Sequence, residues 1–129
     1  TGTGHFLNTG APDIPNSPSL NDVLAGDVDG DGDLDLVTSV GSVRLNNGNG
    51  TFGPFSSLGN SFDGRSSIAL ADVDSNGTLD VLASSGEVML GSGTGTFASA
   101  PNFAPFTYDI RDLATGDFDG DGDVDMVYP

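Results

Sequence analysis

The chain has 129 residues and is strongly acidic, because 19 Asp and Glu residues face only 3 Arg and Lys residues, a formal net charge of −16 at pH 7. A chain of this length forms one domain with a buried core. Its acidity argues against nucleic acid and anionic membrane surfaces as partners. The absence of cysteine excludes disulfides and thiolate metal sites. No apolar run approaches the roughly 20 residues of a membrane-spanning helix, so we predict no membrane span.

Most of the acidic residues belong to three copies of one nine-residue loop, whose first residues are 45 positions apart. Thirteen of the 19 acids fall in these loops, at residues 27–35, 72–80 and 117–125. A fixed period of this size is typical of a repeat architecture. We therefore predict a single repeat domain over residues 1–129, divided into residues 1–20 (trailing strand or strands of a partial blade), 21–65 (repeat 1), 66–110 (repeat 2) and 111–129 (first half of repeat 3).

Each repeat carries short apolar runs of the β type and no sustained helical spacing. In chain order, strand A precedes the acidic loop, strand B follows it, strand C comes next, and a Phe-containing segment supplies strand D. In repeat 1 the first three runs are Val23–Gly26, Leu34–Val37 and Val43–Leu45. Runs of three to six residues between Gly, Asn and Ser clusters predict strands. Four short strands in about 45 residues predict an all-β fold of four-stranded antiparallel blades, as in a β-propeller, with an incomplete terminal blade.

The first 20 residues fit the repeat in two registers. Residues 2–6 align with strand D, or residues 6–10 align with strand C followed by a shortened strand D. In both registers the first segment and the last A–B pair lack partner strands within this sequence, and unpaired strand edges can pair with another chain. One hypothesis is that copies complete each other head to tail, as a ring or a filament. The alternative is that the sequence is an excerpt of a longer propeller.

The spacing of oxygen-bearing side chains in the three loops predicts calcium sites. Each loop has such side chains at positions 1, 3, 5 and 9 and a Gly at position 6, and Ca²⁺ takes six to eight oxygen ligands. By analogy with the helix-loop-helix calcium loop, the backbone carbonyl at position 7 adds a ligand. Mg²⁺ fits less well because it needs tight octahedral geometry, and zinc is disfavoured without Cys and with one His. The predicted ligand residues are Asp27, Asp29, Asp31, Asp33 and Asp35; Asp72, Asp74, Asn76, Thr78 and Asp80; and Asp117, Asp119, Asp121, Asp123 and Asp125.

A solvated turn rich in Asp and Gly is the alternative interpretation of any one loop. Three copies in phase favour calcium. Crowded carboxylates repel one another without a counter-charge, so we expect the folded blades to need the ion. The middle loop has three side-chain carboxylates where the others have four, because Asn76 replaces Asp at position 5.

The loops, each followed by an apolar strand, and the Gly-x-Gly-Thr-Phe motif at residues 48–52 and 93–97 resemble the FG-GAP/VCBS repeats of calcium-binding β-propellers. The integrin α-subunit head and several fungal and bacterial lectins are similar. The resemblance implies three calcium ions that stabilise the blades and do no chemistry. It also implies an extracellular or cell-surface location.

No sequence feature predicts an enzyme. His5 is the only histidine, no Ser or Cys nucleophile pattern accompanies it, and the paired carboxylates have metal-loop spacing. We expect a secreted, non-enzymatic calcium-binding protein for adhesion or recognition, with a glycan or an extracellular protein as its ligand. The alternative is a structural protein that self-assembles by strand complementation into a ring or filament.

Overall fold

In a computed structural model, residues 22–59, 62, 66–100 and 112–127 are described, and all regular structure among them is β-strand. No helix in this part of the chain is long and apolar enough to cross a membrane. Both registers considered for residues 1–20 lie outside the described residues. The ten strands are β1 (Val23–Gly26), β2 (Asp35–Thr38), β3 (Ser42–Arg44), β4 (Ser56–Ser57), β5 (Ile68–Ala71), β6 (Asp80–Ala83), β7 (Val88–Gly91), β8 (Phe97–Ser99), β9 (Ala114–Gly116) and β10 (Asp125–Val127).

The strands form three antiparallel sheets, which we call blades 1, 2 and 3. Blade 1 has the order β1-β2-β3-β4, blade 2 has the order β5-β6-β7-β8, and β9 pairs with β10 in blade 3. In both four-stranded blades a tight turn joins the second strand to the third, where Gly41 and Gly86 adopt φ of +77° and +91°. The predicted all-β fold of four-stranded antiparallel blades is confirmed, while the residue ranges assigned to the repeats remain a prediction.

Neighbouring blades pack through their first strands, since β1 contacts β5 and β5 contacts β9. Side chains alternate between the two faces of a strand, so each blade has a far face, toward the following blade, and a near face, toward the preceding one. The far face of blade 1 and the near face of blade 2 enclose the larger core, whose members include Val28, Val37, Val43, Ile68, Val81 and Met89. A second core joins the far face of blade 2 to the near face of blade 3, with Leu82, Val88, Val124 and Met126.

The fourth strand of blade 1 differs from the predicted Phe-containing strand. Phe52 makes only an isolated bridge to Asn46, and β4 begins four residues later, at Ser56. Because Val43 pairs with Ser56, this side of the hairpin has one residue more than its partner, which is a β-bulge. Pro54 lies within the bulge and cannot donate a ladder hydrogen bond. In blade 2, β8 follows the prediction and starts at Phe97.

Candidate metal centres

The three acidic loops join the first and second strands of their blades, and their backbone bends at positions 4 and 6. In loop 1, Gly30 and Gly32 have φ of +80° and +92°, a left-handed conformation that favours glycine. Loop 3 repeats this pattern. Loop 2 has Ser75 at position 4 with φ of +57°, the one non-Gly residue of the described chain with positive φ.

The Asp at position 1 holds the loop backbone closed. In loop 1, the Asp27 carboxylate accepts hydrogen bonds from the backbone N–H groups of Gly30 and Gly32, at 2.7 and 3.0 Å. Asp117 does the same in loop 3. In loop 2 the Asp72 carboxylate accepts instead from positions 5 and 6. Each loop therefore wraps its own backbone around the carboxylate at position 1.

In blades 1 and 2 the Asp at position 9 is buried and connects the loop to the body of the blade, whereas Asp125 of blade 3 is half-buried. Asp80 has no exposed surface, and its two oxygens accept hydrogen bonds from Gly91 N–H at 2.7 Å and Val73 N–H at 2.8 Å. Asp35 has the same environment in blade 1, with bonds from Asn46 and Val28. A buried carboxylate is costly unless its oxygens are bonded, so position 9 is a structural residue of the blade.

The carboxylates at positions 1, 3 and 9 come together in every loop. In each triad one oxygen per residue lies within 4.8 Å of the oxygens of the other two, and such a group could hold a metal ion. The triads are Asp27, Asp29 and Asp35; Asp72, Asp74 and Asp80; and Asp117, Asp119 and Asp125. Nine of the fifteen predicted ligand residues therefore share these clusters, at the spacing that the sequence predicted.

The side chains at positions 5 and 7 stand outside the triads. Asp31 uses an oxygen to accept from the N–H of Asp33 at 2.8 Å, and Asp121 accepts in the same way from Asp123. In loop 2, the Thr78 hydroxyl donates to the Gly91 carbonyl at 2.9 Å. Metal ligation by positions 5 and 7 therefore remains a prediction.

Electrostatics within the triads favour a cation. Burial, together with the neighbouring charges of Asp74 and Asp72, raises the pKa of the Asp80 carboxyl, although hydrogen bonds from Gly91 and Val73 act in the opposite direction. Desolvation and the charges of Asp35, Asp31 and Asp27 also raise the pKa of Asp29. A bound divalent ion would reverse this cost by supplying the missing positive charge.

Loop 1 also contacts the next blade. The backbone N–H of Gly95, in the turn between β7 and β8, donates to the carbonyl of Val28 at 3.0 Å. Val28 occupies position 2 of loop 1 and is 2% exposed. An ion that orders loop 1 therefore also orders part of the interface between blades 1 and 2.

The sequence reasoning missed the groups that bind the position-9 carboxylate from outside the loop. These are the backbone N–H groups of Asn46 and Gly91, each eleven residues later in the chain; Asn46 lies two residues beyond β3, and Gly91 is the last residue of β7. Every residue except proline has a backbone N–H group, so the residue types in the sequence do not identify these donors. The available signal was the location of Asp35 and Asp80 between apolar residues at the start of a strand, which indicates a buried acid.

Comparison with known proteins identifies the repeat. A sequence profile described as an FG-GAP-like repeat matches the chain twice, at residues 39–83 and 84–128. Each matched segment contains one acidic loop, at residues 72–80 and 117–125. No curated protein and no solved structure gives a significant match to the chain.

Proposed function

The chain belongs to the FG-GAP-like repeat family, and from this premise we propose that it is a non-enzymatic, extracellular β-propeller-type repeat protein whose blades are stabilised by calcium. The observation that carries the proposal is the recurrence of one carboxylate triad in all three loops. Hard oxygen ligands without sulfur or imidazole suit Ca²⁺, and extracellular sites of this kind bind it with dissociation constants of about 10⁻⁴–10⁻³ M.

The proposed stoichiometry is three ions, one in each loop. Loops 1 and 3 offer four side-chain carboxylates, whereas loop 2 offers three and an amide, so we expect loop 2 to bind more weakly. The proposed role is structural, since the triad carboxylates at positions 1 and 9 are hydrogen-bonded to the backbone of their own blade. Groups held in this way are poorly placed for proton transfer to a substrate.

The proposed biological role is adhesion or recognition, with a glycan or an extracellular protein as the ligand. Its support is the family membership together with the hydrogen bonds that tie the acidic clusters to the backbone of their own blades. Binding of the calcium-loaded protein to a panel of immobilised glycans, with free sugar as competitor, tests the glycan proposal. Binding that free sugar does not reduce would contradict it.

Calcium titration followed by calorimetry tests the metal proposal. We expect saturable binding of three ions and a rise in melting temperature, with Mg²⁺ much less effective at equal concentration. Ser99→Asp is a matched control, because it adds one carboxylate at an exposed position of β8, outside the three loops, and should leave the calcium stoichiometry unchanged. A melting temperature that does not respond to calcium or to a chelator would refute structural calcium.

A further inference from the structure

The sequence contains three Asn-Gly pairs, at residues 47–48, 49–50 and 76–77, and all three lie in the described part of the chain. An Asn that precedes Gly can lose ammonia spontaneously, because glycine has no Cβ atom to hinder the approach of its backbone nitrogen to the Asn side chain. All three Asn residues are exposed to water, so burial protects none of them. The hydrogen bonds around each pair differ, and they decide which pair is able to react.

The reaction is an attack of the Gly backbone nitrogen on Cγ of the preceding Asn. The new N–Cγ bond closes a five-membered succinimide ring, the bond from Cγ to Nδ2 breaks, and Nδ2 leaves as ammonia with the proton of the Gly N–H. Water then opens the ring at either carbonyl and leaves aspartate or isoaspartate. Three features of a folded chain favour this step: hydrogen-bond donors to Oδ1, where negative charge develops, a Gly N–H without an acceptor, and an Asn Nδ2 without an acceptor.

The pair Asn49–Gly50 has all three features. Asn49 Oδ1 accepts hydrogen bonds from the Thr51 N–H at 3.0 Å and from the Thr51 hydroxyl at 2.7 Å. Among the described residues, no group accepts a hydrogen bond from the Gly50 N–H or from Asn49 Nδ2. The Asn49 carbonyl is therefore polarised, while the attacking nitrogen and the leaving nitrogen are both unrestrained.

The pair Asn76–Gly77 has the same three-residue sequence, Asn-Gly-Thr, but its attacking nitrogen is restrained. Asn76 Oδ1 accepts from the N–H and the hydroxyl of Thr78, as in the first pair. The Gly77 N–H, however, donates to the Asp72 carboxylate at 2.8 Å. A carboxylate is too weak a base to remove an amide proton, so this bond must break before the nitrogen attacks. Breaking a hydrogen bond to a charged group slows the reaction roughly tenfold or more.

The pair Asn47–Gly48 has hydrogen bonds on both nitrogens. Asn47 Nδ2 donates to the Thr51 hydroxyl at 2.9 Å, and the Gly48 N–H donates to Asn46 Oδ1 at 3.1 Å. Within the described chain, no group donates to Asn47 Oδ1. This pair therefore has none of the three features.

We propose that Asn49 is a site of spontaneous deamidation, with water as the only co-reactant, and that hydrogen bonds protect Asn47 and Asn76 in the folded chain. The reaction needs only water and the fold, so it does not rest on the proposed calcium sites or on the proposed adhesion role.

The product places a carboxylate in the turn that contacts loop 1. A Cβ atom added to Gly48, one residue before Asn49, would lie only 2.6 Å from Asp33 Oδ2. Asp33 occupies position 7 of loop 1. Conversion of Asn49 therefore adds a negative charge beside a candidate metal centre.

Incubation of the purified chain at mildly alkaline pH, followed by peptide mass mapping and isoaspartate detection, measures each site separately. In the folded chain we expect Asn49 to convert roughly tenfold or more faster than Asn76 and Asn47. In urea the protecting bonds are lost, and Asn49 and Asn76 should convert at equal rates because they share the sequence Asn-Gly-Thr. The comparison with Asn47, which lies outside the three acidic loops, holds whether or not calcium is bound.

Two variants make the test specific. Thr51→Val removes the hydroxyl donor to Asn49 Oδ1, so it should slow conversion of Asn49 several-fold and leave the rate at Asn76 and the melting temperature unchanged. Asn49→Gln removes the reactive pair and should gain no isoaspartate in this turn. An Asn49 that stays intact, a rate at Asn49 no higher than at Asn47 or Asn76 in the folded chain, or a preference over Asn76 that persists in urea would each overturn the proposal.

Discussion

Replacing Asp80 with Ala tests whether position 9 holds the blade together independently of any metal. The side chain is fully buried, and its removal leaves the N–H groups of Gly91 and Val73 without their acceptor. A buried donor without a partner costs about 1–3 kcal/mol. The Gly91 bond is buried and the Val73 bond is partly buried, so we expect Asp80→Ala to lower the free energy of unfolding by about 2–4 kcal/mol even in a chelator. That is a large part of the roughly 5–15 kcal/mol of an ordinary domain.

Asp74→Ala is the matched control, because Asp74 belongs to the same triad but is exposed. It accepts one hydrogen bond, from the Asn76 N–H at 3.2 Å, and the Asp72 carboxylate accepts from the same group. In a chelator its removal should change the free energy of unfolding by less than about 0.5 kcal/mol. In calcium both variants should lose the stabilisation from that site, about 2.7 kcal/mol at a free concentration 100-fold above the dissociation constant.

Urea unfolding of the two variants and the unaltered chain, with calcium and with chelator, separates the two roles. The reasoning predicts a difference between the variants that persists in chelator. Equal stability of Asp80→Ala and Asp74→Ala in chelator would refute it, because position 9 would then act only as a metal ligand.

Three further predictions concern the strained loop, the bulge and pH. Ser75→Gly should raise the free energy of unfolding by about 0.5 kcal/mol, because relief of the left-handed conformation exceeds the added chain entropy of Gly; a lower melting temperature would contradict this. Arg44→Ala should lower the free energy of unfolding, measured in urea, by about 1 kcal/mol. The reason is that the Arg44 side chain donates to the Gly53 carbonyl at 2.9 Å and lies 4.7 Å from the Phe55 ring centroid. Arg44→Lys should recover only part of this loss. Without calcium, the pKa of the Asp80 carboxyl in the folded state lies above its ordinary value of 3.8. Protonated Asp80 therefore stabilises the folded state at low pH, and this contribution to the free energy of unfolding should fall as pH rises from 3.8 through the raised pKa. An Asp80→Asn variant that retains this pH dependence would contradict the assignment.

Sequence alone predicted those features that depend on short stretches of neighbouring residues. A short apolar run between Gly, Asn and Ser clusters identified β1 at its observed limits, Val23–Gly26. Loop spacing brought the residues of each triad together, because the backbone of every loop bends at positions 4 and 6. Local rules decide both features.

The remaining features depend on contacts between distant residues. The sequence assigned the fourth strand of blade 1 only to a Phe-containing segment, and the bulge around Pro54 moves its pairing to Ser56. The burial of Asp80 depends on Gly91, and a Cβ atom added to Gly91 would lie only 2.1 Å from the Leu79 carbonyl. Neither fact is visible in a nine-residue pattern, since each requires knowledge of which strand lies alongside.

Neighbouring blades make the three similar loops physically unequal. Loop 1 is covered by the β7–β8 turn through the Gly95–Val28 hydrogen bond, and its Asp35 is fully buried. Loop 3 repeats the residue types of loop 1, yet its Phe118 is 59% exposed. Within the described residues, the cover that blade 2 gives to loop 1 therefore has no equivalent at the exposed Phe118 side chain of loop 3.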